Sequence, residues 1–152
     1  MTIALPRVRQ QRRTITGQIA AILVMALALA GGWDAAQAAQ AAPANPMSVT
    51  LDAARAAHEA GRAVLIDIRE PEEHATGVPA KAQLLPMRQI ASRLAEVPTD
   101  PTRPVLLICN TQNRSRATAQ ALRERGYSHV SFVEGGMSEW ARRGWPMVKP
   151  VR

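Results

Sequence analysis

At 152 residues the chain has room for one ordinary domain with a real core, and none for two comfortable ones. Lysine and arginine outnumber the acids 19 to 12, yet four arginines against a single aspartate fall within residues 1–38, and the surplus beyond them is spread without a run. Three Trp, one Tyr and one Phe offer little for stacking on bases, so the composition argues for a mildly basic surface and against a nucleic-acid partner.

The first predicted element is a targeting segment. A positive stretch, "RVRQQRRTITGQ", precedes an apolar one, "IAAILVMALALAGG", and the small-residue triplet Ala36, Gln37, Ala38 follows. The apolar run is shorter than the roughly twenty residues that cross a bilayer comfortably. Residues 1–38 therefore read as an export signal, with a periplasmic destination, and membrane association is expected only if the segment stays uncleaved as an anchor. Residues 39–47, rich in Ala, Gln, Pro and Asn, read as a flexible linker, and residues 48–150 as the folded domain.

Within that domain, Thr50 is placed to cap a helix over "LDAARAAHEAG", closed by Gly61. "AVLIDI" and "PVLLIC" are continuous aliphatic runs of strand length, as expected for strands of a parallel sheet covered on both faces. "RSRATAQALRERG" predicts a helix with Ala117, Ala121 and Leu122 on its packing side and Gly126 as its stop. A short strand, "HVSFVEGG", and a last helix, "MSEWARRG", complete the pattern, with Met137 and Trp140 three apart on one helix face as core residues. The class is α/β, with a central, mostly parallel sheet and helices on both faces.

The only cysteine, Cys109, ends the second aliphatic run. A single thiol forms no internal disulfide, so cross-linking is not its purpose. With His58 and His129 scattered, no metal-ligand spacing arises, and neither a metal nor another cofactor is expected. The carboxyl end of a parallel strand is where open α/β sheets bind ligands. There the loop "CNTQNR" can turn its amides, and those opening the next helix, over the sulfur. Such dipoles, with Arg114 at the mouth, favour thiolate, the nucleophilic form. Arg114 and Arg116 oppose the dipole of the helix they open, a placement that makes sense if an anion sits between them. A buried, inert cysteine is the competing reading of the loop alone.

From Val49 to Val148 the chain resembles the single-domain rhodanese family. "VLIDIREPEEH" is similar to its strand ending in Asp-x-Arg, here Asp67 and Arg69, with Glu73 at the acidic position that follows. "CNTQNRS" resembles the active-site loop, and "RGYSHVSFVEGGMSEWARRGWPMV" the closing segment. The resemblance implies a rhodanese-like fold and a sulfurtransferase. Cys109 would take a sulfane sulfur from a small anionic donor such as thiosulfate, hold it as a persulfide, and pass it to a thiol or to cyanide. It also implies that the backbone of Asn110, Thr111, Gln112, Asn113 and Arg114 surrounds the sulfur, that Arg114 binds the donor's anionic end with Arg116 as a weaker candidate, and that Asp67 and Arg69 prop the loop as an ion pair. Two alternatives stand beside it: a non-catalytic binding or sensor module on the same fold, and a phosphatase-like activity, disfavoured because related phosphatases carry one more loop residue before the arginine.

Four positions depart from the family's pattern. Gln112 and Lys81 stand where glycine is usual, Val78 where histidine is usual, and His74 where an aromatic is common. An altered mouth and an unusual acceptor are the expected consequences.

Overall fold

A computed structural model describes residues 46–150. The export segment, the first residues of the linker and Trp33 lie outside the described residues. Five strands, β1 (Ser48–Val49), β2 (Val64–Asp67), β3 (Gln83–Leu84), β4 (Val105–Ile108) and β5 (Val130–Val133), form one sheet in the order β1-β5-β4-β2-β3 with every pairing parallel. Four α-helices accompany them: α1 (Leu51–Glu59), α2 (Pro71–His74), α3 (Asn113–Glu124) and α4 (Gly136–Arg142). The α/β class with a parallel sheet is thus the architecture found.

Because side chains alternate across a strand, each aliphatic run feeds two cores. On β4, Leu106 and Ile108 join Leu51 and Ala54 of α1 and Met137 and Trp140 of α4. Val105, Leu107 and Cys109 point the other way and pack with Ala119 and Leu122 of α3, along with Ile66 and Phe132 of the flanking strands. Helices therefore cover both faces, and Cys109 ends the row that meets α3.

Local signals explain the ends of the elements. The Thr50 hydroxyl accepts from the Ala53 amide at 3.4 Å to cap α1. Gly61 and Gly126 take φ of +68° and +96° after α1 and α3. The packing side of α3 differs from expectation. Ser115, Ala119 and Leu122 are buried, whereas Ala117 and Ala121 are exposed and line a surface groove with Met87 and Ile90. The buried trio follows the i, i+4, i+7 stripe, and small alanines on the other side left the sequence without a contrast to orient the helix. At the start of the domain, the carbonyls of Pro46 and Met47 accept from the Ser131 hydroxyl and the Phe132 amide.

Candidate active site

The site is assembled at the carboxyl end of β4. Cys109 is 1% exposed and its Sγ lies beneath the first turn of α3. There the Ser115 amide donates to Sγ at 3.4 Å and the Ser115 hydroxyl lies 3.5 Å from it. That hydroxyl donates to the Gln112 carbonyl at 3.1 Å, and so accepts from the thiol proton. A hydroxyl rotates freely, so once the thiol loses its proton the same group can turn and donate to the sulfur. The amides of Asn110, Thr111, Gln112, Asn113 and Arg114 donate to no acceptor among the described residues. Backbone donors near a buried sulfur, left without protein partners, form a ready site for an anionic atom.

The loop's carbonyls are drawn the opposite way. Met137 N donates to Cys109 O and Ser138 N to Asn110 O, both at 2.8 Å, and the Ser138 hydroxyl donates to Asn110 Oδ1 at 3.0 Å. The turn before α4 presses directly on the loop: a Cβ on Gly136, at φ +60°, would lie 2.4 Å from Cys109 O and 2.6 Å from Asn110 O. Gln112 bears the strain of this geometry, with φ 142° and ψ −14°, a conformation that suits glycine. Its side chain returns some of that energy, since Gln112 Oε1 accepts from Gly135 N at 2.8 Å.

Charged groups reach the loop from β2. Asp67, fully buried, receives Arg69 in a fork: Nε lies 3.0 Å from both carboxylate oxygens and Nη2 2.6 Å from Oδ2. The rest of that guanidinium donates to backbone, Nη2 to Gly77 O at 2.8 Å and Nη1 to Glu73 O at 3.2 Å, and so fixes α2. His74 is buried beside the pair, its Nε2 3.5 Å from Asp67 Oδ1. From the helix so placed, Glu73 meets Arg114 in a second fork, Oε1 to Nη2 at 2.6 Å and Oε2 to Nη1 at 2.7 Å. The Arg114 fork holds the Glu73 carboxyl down to about 2, helped by the Glu70 amide on Oε2. Arg114 is raised in turn, first by Glu73 and further by the charges of Cys109 and Glu70.

Of the residues singled out in the sequence, Cys109 and Arg114 lie close enough for their charges to interact, and the backbone of 110–114 joins them. Asp67 and Arg69 reach Arg114 indirectly, through α2 and Glu73. Arg116 turns elsewhere: its guanidinium lies 5.1 Å from the centroid of the Phe132 ring. The Thr111 and Asn113 side chains are exposed. Sequence reasoning missed Ser115, although its place in the first helical turn after the loop was the available signal. His58 and His129 bond the carbonyls of Ala80 and Pro98, both at 2.8 Å, and among the described residues no three or more His, Cys, Asp or Glu side chains are placed to hold a metal ion together.

A buried thiol at the end of a parallel strand, taking the Ser115 amide from the first turn of the next helix and lying beside an ion-paired arginine, marks a cysteine-loop domain of the α/β class. The family model of the rhodanese-like domain matches residues 50–143, and the chain belongs to that family. A relative named sulfurtransferase, from Allochromatium vinosum, is 40% identical over 87 residues, 57% of this chain and 79% of the relative. Among solved structures, a rhodanese-like domain protein from Staphylococcus aureus aligns with TM-score 0.60 and 26% identity over 70% of this chain and 100% of that one. A thiosulfate sulfurtransferase from Pseudomonas aeruginosa aligns with TM-score 0.60 and 25% identity over 69% of this chain and 21% of that one. The family to which the chain belongs thus includes sulfurtransferases.

Proposed function

We propose that the protein is a sulfurtransferase that carries sulfane sulfur as a persulfide on Cys109. The observation that carries this reading is a buried sulfur that takes the Ser115 amide at 3.4 Å, followed in the chain by the amides of Asn110 to Arg114, which have no protein acceptors among the described residues. With thiosulfate as the simplest anionic donor, the Cys109 thiolate attacks the outer sulfur. The S–S bond breaks with its electron pair leaving on sulfite, and Cys109 keeps the sulfur as a persulfide anion. A thiol or cyanide then attacks that outer sulfur and the electrons return to the Cys109 thiolate. Charge is conserved at each step, and a thiol acceptor attacks as its thiolate after releasing its proton to solvent. The amides stabilise the negative sulfur, while Arg114, forked to Glu73, brings little uncompensated charge to the donor's anionic end.

Intact mass after incubation with thiosulfate tests the reading. One added sulfur is expected, removable by cyanide or a thiol. Cys109→Ser should never gain it, since a hydroxyl stays protonated near neutral pH and is a far weaker nucleophile. If freshly reduced protein takes no sulfur from thiosulfate or a persulfide, the role of a non-catalytic binding or sensor module replaces this one. The proposed location is outside the cytoplasm. N-terminal sequencing of cell-made protein should find a start between about Ala39 and Pro43, as the small-residue triplet requires; a chain still beginning near Met1 would show an uncleaved anchor.

A further inference from the structure

The charge around the loop bears on which sulfur donor the site takes, and the inference rests on the sulfurtransferase reading. Between Cys109 and Arg114 the intervening residues are Asn110, Thr111, Gln112 and Asn113, so the loop's one cation is Arg114. That cation is already matched by a carboxylate in a two-pronged contact of 2.6 and 2.7 Å. The carboxylate is fixed in place, because Glu73 Oε2 also accepts from Glu70 N at 3.0 Å and Arg69 Nη1 holds the Glu73 carbonyl at 3.2 Å. Acid near neutrality does not release it, since its carboxyl is held at about 2. Glu70 adds a second acid close enough to act on Arg114, and its Oε1 is buried without a hydrogen-bond partner among the described residues. Arg69 is committed to Asp67, and Arg116 lies over Phe132. What remains for an incoming anion beside the Cys109 sulfur is the loop's backbone amides, which have no acceptor among the described residues.

We infer that the donor this site takes best is a persulfide of a small organic thiol, R–S–SH or its monoanion, rather than the thiosulfate dianion, and that Glu73 sets this preference. A persulfide places its one charge, at most, on the sulfur that the amides receive. Thiosulfate must seat a charged sulfonate beside Glu73 and Glu70, where the arginine that would offset it is spoken for. In the persulfide reaction the Cys109 thiolate attacks the outer sulfur of R–S–SH. The S–S bond breaks, its electron pair leaves on R–S⁻, and the transferred sulfur keeps its proton or releases it to solvent. No oxidant or reductant enters.

The test is single-turnover loading of the purified protein, followed by intact mass, with the persulfide of β-mercaptoethanol and with thiosulfate at matched concentrations. At low salt the persulfide should load with a second-order rate about tenfold above thiosulfate, and the gap should narrow as salt screens Glu73 and Glu70. Glu73→Gln keeps the acceptor for Glu70 N and removes the charge. It should narrow the gap several-fold by speeding thiosulfate, a change in the ratio of two donors that a general loosening of the loop would not produce. Equal or faster loading from thiosulfate at low salt overturns the inference while leaving the sulfurtransferase reading intact, as does a preference that salt does not move. Absence of loading from either donor overturns both.

Discussion

Gln112 and Lys81 make the same departure and meet different fates. Each stands where the family usually has glycine, and they are the two non-glycine residues with positive φ among the described residues, at 142° and 63°. Lys81 is the third residue of a turn closed by Ala82 N to Pro79 O at 3.1 Å, the place that a type II turn reserves for glycine. Its side chain is exposed and makes no hydrogen bond or ion pair among the described residues. Gln112 is held on several sides: its carbonyl accepts from Arg116 N at 2.8 Å and from the Ser115 hydroxyl at 3.1 Å, and its Oε1 from Gly135 N at 2.8 Å. A strained residue persists where its surroundings over-determine it, and that happens at the loop that carries the thiol. At position 81 the strain is merely tolerated.

The comparison breaks most severely at Gly136, whose contact with the loop has no counterpart at the Lys81 turn. In Gly136→Ala the new Cβ would lie 2.4 Å from Cys109 O, and what it meets is backbone, which cannot step aside cheaply. Overpacking and the left-handed backbone together should cost about 3 kcal/mol by chemical denaturation. Sulfur loading should fall at least about tenfold, because the loop must move to admit the methyl group. A variant as stable and as fast as the parent would show that α4 does not set the loop.

At Gln112 two substitutions separate strain from attachment. Gln112→Met keeps the strained angle and loses the acceptor for Gly135 N, so it should be less stable by about 1 kcal/mol and load sulfur more slowly. Gln112→Gly loses the same bond but relieves the backbone, so its stability should stay within about 1 kcal/mol of the parent while loading still slows. If Gln112→Gly loads faster than the parent, the carboxamide attachment contributes nothing and the residue only strains the loop.

How much of this was legible in the sequence follows from the range of each interaction. The aliphatic runs of β2 and β4, the caps of α1 and the position of Cys109 are local patterns, and each appears where the sequence put it. β1 and β3 are two residues long, too short for any periodicity, and exist because an edge of the sheet accepts them. The orientation of α3 was misjudged because alanines flank the true stripe. The strain at Gln112 could be anticipated from residue type, but its attachment to Gly135 could not, since 23 residues intervene. The Glu73–Arg114 fork spans 41 residues, and nothing in either segment announces the other. What was missed is pairing across the fold, which determines the electrostatics of the site.

That fork offers an acid-dependent test. Glu73 ordinarily titrates near 4.5 and in the fold is held to about 2, so its ionic contribution is complete above the ordinary value and is lost as pH falls toward the folded one. The stability difference between the parent and Glu73→Gln should therefore be constant above about pH 5 and shrink toward pH 2. It should be modest throughout, because the two side chains are 31% and 33% exposed and solvent screens them. A gap independent of pH across that window would mean the fork acts through hydrogen bonds alone.

The smallest effect belongs to Lys81. Lys81→Gly removes a Cβ from a left-handed position at φ 63°, which favours the folded state by about 1 kcal/mol, and it frees the unfolded backbone, which offsets part of that gain. The turn itself should persist, because its closing bond from Ala82 N and the contact between His58 Nε2 and Ala80 O at 2.8 Å do not involve the lysine side chain. A net stabilisation of about 0.5 kcal/mol is expected in denaturant titrations, with sulfur loading unchanged. The contrast with Gln112→Gly is the point of the measurement: glycine at 81 should gain stability and leave the chemistry alone, whereas glycine at 112 should leave stability nearly level and slow the chemistry. If glycine at 81 also slows loading, the Lys81 turn acts on the site, and strain at the two positions serves the same end.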